Sequence, residues 1–425
     1  MLPTVPELVA HFLRSNGYKE TLAAFIDEAG LPVDTGSGNL KITIEQILQE
    51  KKTFDTSLNF EKLGLEDKDR GWRSIAATTA DRRLHLIDPG SSPHSVVQSY
   101  STFQDSPILD LAVIRGRYVL AASMSGKLLL FDTKTEQVLD QRKDHGKYVV
   151  KLATWPTESY TIVATAGWDA KIFLYSISTD RAALQLGEPI ATMSLPTVPE
   201  TLLFIRSPET SRPILLLTRR DSTFLHYYAI TPVGQGSAIS LLGKQNLAPH
   251  SNSWVAFTPV DVQVNPVDAS VVAVATSSTP HMKLLIAKLL LPPEEVATAD
   301  RTEQVLVEPV TQASQARANL LLQEKEEAAI MVNVTTMAPQ TAYSTPRLVW
   351  RPDGSGIYVS SDDGIVRGFE ANTGQLRASL DAHEPGSKIR CLCAGQAKFA
   401  AGDTQEEEFL LTGGFDQKLV LWRTD

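Results

Sequence analysis

A hairpin pattern that recurs along the chain constrains the fold more than any other feature of the sequence. Residues 409–422 read FLLTGGFDQKLVLW: an apolar run, a polar turn and a second apolar run that ends in tryptophan. Segments with the same plan occur upstream, at 74–88, 117–132, 161–176, 213–229, 271–290 and 357–370. The sequence therefore predicts seven copies of one β-hairpin unit.

The spacing of the turns sets the size of the repeating unit. Asp81, Ser125 and Asp169 follow one another at intervals of 44 residues, and Asp363 and Asp416 are 53 apart. A period in the forties, with four strands in each unit, is typical of a β-propeller blade.

The sequence resembles the WD-repeat family over about residues 55–425. The family's structural tetrad of His, Ser or Thr, Asp and Trp maps in the last blade onto His383, Thr412, Asp416 and Trp422. The third blade keeps His145, Thr165 and Asp169, with Tyr175 in place of the tryptophan. This resemblance implies a mainly β fold, a seven-bladed WD-repeat propeller, in which the tetrad is structural.

The same His, Thr and Asp residues could be interpreted as a catalytic triad. They occur in two blades, however, whereas a catalytic site would occur once. We therefore expect buried polar networks that lock the blades, in a protein that is not an enzyme and needs no cofactor. A propeller-type hydrolase with an unrecognised site is the alternative class.

The net charge and the cysteine content limit the kinds of partner and the cellular compartment that we expect for this protein. The net charge of −9 weighs against nucleic acid as a direct partner. Cys391 and Cys393, the two cysteines, alternate along a predicted strand, so we expect free thiols in a reducing compartment and no metal site. No signal peptide or membrane-spanning run is visible, so we expect a soluble intracellular protein in the nucleus or cytoplasm, away from membranes.

Two short amphipathic helices are predicted at the N-terminus. Thr4 and Glu7 form a capping box, and Asn16-Gly17 interrupts the helical pattern. Two helices of this length cannot bury their apolar faces alone, so they either pack on the propeller or pair with a second copy.

This region resembles the LisH motif, a short helical dimerisation element, at Leu8, Phe12, Leu13, Gly17, Tyr18, Thr21 and Phe25. The resemblance implies a homodimer. The expected dimer contacts are Leu8, Phe12, Leu13, Tyr18, Leu22 and Phe25.

The predicted organisation is a LisH motif at 1–35, a linker with a short helix at 36–53, and the propeller at 54–425. Within the linker, Gly36-Ser37-Gly38 is a predicted flexible joint and Thr43–Lys52 a predicted helix. Phe54–Phe60 is the candidate strand that completes the last blade. The first strand of the first blade has no clear pattern at Glu66–Trp72.

An insertion at about 292–345 interrupts the fifth blade. Within it the sequence predicts a strand at 305–310 and a helix at 313–329. Residues 330–334 are the predicted outer strand of the blade. This insertion is either exposed decoration or a partner-binding element.

The turns between second and third strands of a propeller gather at one mouth of the central channel. Aromatic, methionine and arginine side chains stand there: Arg82, Arg83, Met124, Trp168, Arg219, Arg220 and Phe415. Such a mixture is typical of protein-binding hot spots, although these residues could also simply cover the turns. The basic residues favour an acidic or phosphorylated peptide. We therefore expect a scaffold or adaptor that binds proteins within a multi-subunit assembly, such as a transcriptional corepressor or a ubiquitin ligase.

Overall fold

The structure is a computed structural model that describes residues 4–38, 62–64, 75–78, 83–88, 95–101, 106–178, 184–230, 238–251, 255–292, 312–397 and 407–423. It divides into two compact units, Met1–Ser57 and Leu58–Asp425. The predicted helix at Thr43–Lys52 and the predicted closing strand at Phe54–Phe60 lie outside the described residues.

The N-terminal unit contains the two predicted helices, α1 (Val5–Ser15) and α2 (Lys19–Glu28). The Glu7 carboxylate accepts hydrogen bonds from Thr4 N (2.7 Å) and Thr4 Oγ1 (2.9 Å), which stabilises the start of α1. After α1, Gly17 adopts a φ of +77°, a left-handed conformation that suits glycine and ends the helix.

The chain after α2 folds back onto α1, and Gly36, in the predicted flexible joint, lies against this helix. Arg14 Nη2 donates to the carbonyl oxygen of Val33 at 3.0 Å. Gly36 has a φ of +74°, and a Cβ at this position would lie 2.8 Å from the carbonyl carbon of Ala10. Only glycine fits this close approach of two backbones.

Within the described residues, the strands of the second unit form seven antiparallel sheets, each built from consecutive strands. In order, the sheets are β1–β4 (Lys62–Gly64, Ile75–Thr78, Leu84–Asp88, Ser95–Tyr100), β5–β8 (Ile108–Ile114, Tyr118–Ser123, Leu128–Asp132, Gln137–Arg142), β9–β12 (Val149–Pro156, Tyr160–Gly167, Lys171–Ser178, Ala191–Ser194), β13–β16 (Pro199–Arg206, Pro213–Arg219, Phe224–Ile230, Ile239–Asn246), β17–β20 (Pro259–Val264, Val271–Thr276, His281–Lys288, Ile330–Pro339), β21–β24 (Leu348–Trp350, Gly356–Val359, Val366–Glu370, Leu376–Leu380) and β25–β27 (Ile389–Ala397, Glu407–Gly414, Leu419–Arg423). The second and third strands of each sheet are the hairpins predicted from the sequence.

The first strands of consecutive sheets contact one another, and β1 contacts β25, so the inner strands close a circle. The second strands β6 and β18 are buried along almost their whole length, because neighbouring blades cover both of their faces. The fourth strands β8 and β24 are half-buried or exposed. Apolar side chains fill the space between blades, as where Ile162 of the third sheet packs with Leu202 of the fourth. The fold is a seven-bladed β-propeller, as predicted.

Two segments that the sequence left open or placed broadly are located by the structure. The first strand of the first blade is Lys62–Gly64, upstream of the unassigned stretch 66–72. The helix predicted at 313–329 is α3 (Gln312–Ala329), between the third and fourth strands of the fifth sheet. Strand β20 follows α3 directly and pairs with β19, so the sheet takes up residues 330–339 of the segment predicted as an insertion. The strand predicted at 305–310 lies outside the described residues.

Helix α3 is held against the fifth and fourth blades at its C-terminal end. The Oε1 atom of the buried Glu326 accepts a hydrogen bond from Asn246 N at 2.7 Å. His250 Nε2 lies 2.6 Å from Glu327 Oε2. Three consecutive leucines earlier in the helix are exposed: Leu320, Leu321 and Leu322.

Candidate functional site

Four of the residues predicted at the rim share one backbone position in their blades. The N–H groups of Met124, Trp168, Arg220 and Phe415 donate, in that order, to the carbonyl oxygens of Pro107, Tyr148, Val198 and Lys388. Each bond joins the end of a second strand to the residue just before an inner strand. The bond therefore fixes the backbone of these residues beside the start of an inner strand. The fifth blade uses Ser277 at this position, a residue that the sequence did not single out.

An exposed aromatic cluster lies at the rim on the third and fourth blades. Trp168 is 41% exposed and Tyr148 is 37% exposed, and their ring centroids lie 5.3 Å apart. Arg220 Cζ lies 5.3 Å from the centroid of the Trp168 ring, in a cation–π contact. Arg220 also forms an ion pair with Glu200. These four residues are called the Trp168 patch below.

The other predicted rim residues are less uniform. Arg219 is half-buried and its Nη1 donates to Thr197 Oγ1 at 3.1 Å. Met124 and Phe415 are half-buried, and Arg83 is exposed. Arg82 lies outside the described residues.

Carboxylates pair with the rim cations. Glu200 pairs with Arg220, and Lys388 Nζ lies 3.1 Å from Asp362 Oδ2. Among the described residues, the rim is therefore mixed in charge rather than purely basic.

Buried carboxylates on the inner strands join neighbouring blades. Asp110 Oδ2 accepts a hydrogen bond from Leu152 N (2.6 Å) on the next blade, and Asp261 Oδ2 does the same from Leu348 N (3.0 Å). Burial raises the pKa of Asp110. Arg347 Nη1 lies 3.5 Å from Asp261 Oδ1, so the channel wall carries both signs of charge.

The four tetrad residues of the last blade form one hydrogen-bonded chain. Trp422 Nε1 donates to Thr412 Oγ1 (3.1 Å), and Thr412 Oγ1 lies 2.7 Å from His383 Nε2. His383 Nδ1 lies 2.9 Å from Asp416 Oδ2. A carboxylate can only accept, so the Nδ1–H group of His383 donates to Asp416.

The third blade repeats the chain without the tryptophan. His145 Nδ1 lies 2.9 Å from Asp169 Oδ1, and His145 Nε2 lies 2.8 Å from Thr165 Oγ1. Tyr175 instead donates to Asp144 Oδ2 at 2.9 Å. Burial lowers the pKa of His145. Burial acts to raise the pKa of Asp169, but hydrogen bonds from His145 and from a backbone N–H group outweigh it, so this pKa is lowered.

Both threonine hydroxyls lie in fully buried side chains, so neither is presented to a substrate as a nucleophile would be. The arrangement stabilises the blades.

A glycine two residues before the tetrad aspartate is a structural requirement that the sequence analysis missed. A Cβ at Gly414 would lie 2.7 Å from Asp416 Oδ1 and 2.9 Å from His383 Nδ1. Gly167 has the same place relative to Asp169. The signal was present as a shared Gly-x-Asp spacing in the two blades that keep the histidine.

Three further features bear on function. No helix among the described residues is both long enough and apolar enough to cross a bilayer. In the same part of the chain, no three His, Cys, Asp or Glu side chains form a group that could hold a metal ion. Cys391 and Cys393 form no disulfide.

Comparison with known proteins identifies two regions of the chain. Residues 65–423 match a family model described as "UCP007778, beta-propeller domain", and residues 5–34 match one described as "UCP007778, LisH domain". A comparison with curated proteins finds no match.

Solved structures share the fold at low sequence identity. One is a chain from "Crystal Structure of Mitotic Checkpoint Complex", with a TM-score of 0.52, 11% identity, and 83% of this chain and 84% of that chain covered. Another is Saccharomyces cerevisiae Sqt1, with a TM-score of 0.53, 13% identity, and 87% of this chain and 99% of that chain covered. With the family models matching most of its length, the chain belongs to the UCP007778 family, which combines a LisH domain with a β-propeller.

Proposed function

We propose that this protein is a non-catalytic scaffold whose propeller rim binds segments of other proteins. The observation that carries the proposal is the Trp168 patch, in which an exposed tryptophan stacks with Tyr148 and Arg220. Tryptophan, tyrosine and arginine are the residues most enriched at binding hot spots. Because neighbours already hold these side chains, a partner that covers them loses less conformational entropy on binding.

The charges at the rim favour a partner segment with an acidic or phosphorylated side chain. Arg220 is about half exposed, while its partner Glu200 is largely covered. An anionic group on a partner can therefore reach the guanidinium and share it with Glu200, or displace that carboxylate. Direct binding to nucleic acid or to a membrane is not part of the proposal.

We further propose that the LisH domain joins two copies of the chain. On one copy, Leu8, Phe12, Leu13 and Phe25 are only half-buried, and Tyr18 is 53% exposed. Pairing with a second copy would bury these apolar groups. A homodimer carries two rims, so an assembly with two matching sites gains avidity without any new contact. A homodimeric scaffold of this kind suits a transcriptional corepressor or a ubiquitin-ligase assembly in the nucleus or cytoplasm.

An affinity-capture experiment tests the role of the rim. The wild type and the variants Trp168→Ala and Arg220→Glu are used as baits, and recovered proteins are quantified by mass spectrometry. We expect each variant to lose a set of partners that the wild type recovers. Leu241→Ala removes a more exposed apolar side chain from the outer strand β16 and serves as the control. If a Trp168→Ala, Arg220→Glu double variant still recovers every partner, the binding site is not the Trp168 patch. The next candidates are then α3 and the blade edges.

A hydrolase, the alternative class, has no supporting site among the described residues, since both His–Thr–Asp sets are buried.

A further inference from the structure

Arg390 is a half-buried cation whose charge the described residues do not fully satisfy. It lies on the inner strand β25, and its Cζ lies 4.9 Å from the centroid of the Phe415 ring at the rim. Its Nη1 atom is buried and has no hydrogen-bond partner in the described part of the chain. An arginine side chain has five N–H donors, and leaving a buried donor unpaired costs stability.

The charges around Arg390 do not relieve this cost. Burial lowers its pKa to about 10, and although Asp362 acts to raise the value, Arg347 lowers it further by like-charge repulsion. Asp362, the carboxylate that acts on Arg390, already pairs with another cation, and the neighbouring Arg347 has its own carboxylate. Asp362 lies 3.1 Å from Lys388 Nζ, and Asp261 lies 3.5 Å from Arg347 Nη1.

The Phe415 ring holds the Arg390 guanidinium beside the rim of the channel. The side chain stands at the end of the channel where Phe415, a residue of the shared rim position, holds the guanidinium against its ring. A planar guanidinium held in this way keeps its donor edge in a fixed direction, which suits an oxyanion. A second guanidinium close by, that of Arg347, favours an anion with more than one negative charge.

We propose that Arg390 binds the phosphate group of a phosphorylated side chain on a partner peptide at the mouth of the channel. The proposal rests on the proposed function of the rim and adds to it the chemistry of the bound group. A phosphate monoester carries close to two negative charges at neutral pH and has three strong acceptor oxygens. It can therefore accept from Arg390 and offset the repulsion between the two arginines.

Thermal unfolding with inorganic phosphate as the probe gives a first test. Melting temperatures of the full chain are measured in sodium chloride and in about 100 mM sodium phosphate, at equal ionic strength. We expect phosphate to raise the melting temperature of the wild type by on the order of 1–2 °C, through preferential binding to the folded state. Arg390→Met, which keeps a linear side chain over Phe415, should lose this response. Arg219→Met removes a rim arginine that is bonded to Thr197 and should keep it.

The same data separate a ligand site from a structural role. If Arg390 serves a ligand, Arg390→Met should be as stable in chloride as the wild type, or more stable, because it removes a buried unpaired charge. A lower melting temperature of Arg390→Met in chloride would assign Arg390 to the fold and overturn the proposal. A phosphate response that persists in Arg390→Met would also overturn it.

Peptide binding supplies the second test. Fluorescence polarisation compares degenerate libraries that contain phosphoserine, serine or glutamate at one fixed position. We expect the wild type to bind the phosphoserine library about tenfold more tightly than the other two, and Arg390→Met to lose that preference. Equal affinity for the three libraries would overturn the phosphate proposal.

The outcome also distinguishes this inference from the function on which it rests. If Trp168→Ala loses captured partners while Arg390→Met keeps them all, the rim function stands and the Arg390 proposal fails. If both variants keep them all, both fail.

Discussion

The last blade depends on the carboxylate of Asp416, whose side chain is completely buried together with that of His383. Besides the His383 Nδ1–H group, it accepts a hydrogen bond from Glu384 N at 3.1 Å. Asp416→Ala leaves these donors unpaired, so we expect the free energy of unfolding to fall by about 1–3 kcal/mol. Chemical denaturation monitored by tryptophan fluorescence measures the change.

Asp363 is the matched comparison in the sixth blade. Its Oδ2 accepts from Arg367 Nη2 at 2.7 Å, and its side chain is 27% exposed. After Asp363→Ala, water can reach the arginine, so we expect a smaller loss than for Asp416→Ala. Equal losses at the two positions would show that pairing with a histidine does not make Asp416 more important for stability than Asp363.

His226 makes the stability of the fourth blade depend on pH. Burial, followed by repulsion from Arg219, lowers its pKa from 6.5 to about 4. Below about pH 6.5 the unfolded chain therefore binds a proton at His226, whereas the folded chain binds it only below about pH 4. The contribution of neutral His226 to the stability of the folded chain is complete above about pH 6.5. It is lost as the pH decreases from about 6.5 to about 4. Between about pH 7.5 and about pH 5, we expect a loss of roughly 2 kcal/mol.

The control for this prediction is His226→Gln, which does not titrate in this range. Denaturation curves across the pH series should be flatter for the variant than for the wild type. Parallel curves would show that His226 does not carry the effect.

At the scale of single strands, the edge of the last blade yields a prediction. In the described residues the seventh sheet has three strands, with β27 at its outer edge. The alternating segment Phe54–Phe60 remains the predicted fourth strand. Deleting it should lower the melting temperature of the whole propeller by several degrees, because an unpaired edge would replace a paired one. An unchanged melting temperature would remove this segment from the propeller.

The hairpins could be predicted because each carries its own signal: small and β-branched strands around a polar turn. The strand Lys62–Gly64 could not, since three residues ending in glycine show no periodicity. The rim position could be predicted from the turns. The pairing of Arg220 with Glu200, and the burial of Arg390 beside Arg347, could not, because both depend on how different strands meet in space.

For the whole molecule, the proposed homodimer makes a simple prediction. A chain that starts at Thr53 lacks α1 and α2, so light scattering should give the mass of a monomer, while the full chain gives that of a dimer. Substituting Phe12 and Leu13 by aspartate in the full chain should have the same effect, because charges at a buried interface are costly. A truncated chain that stays dimeric would exclude the helices as the interface.

Site-specific photo-crosslinking can show whether partners bind at the rim of the propeller. A photoreactive phenylalanine analogue is placed at Trp168 in the full chain, and at Leu241 as the control, since both positions are exposed. We expect irradiation in cell extract to attach the same partner protein repeatedly at position 168 and not at position 241. Crosslinks to a common partner at position 241, with none at position 168, would show that partners do not bind at the rim.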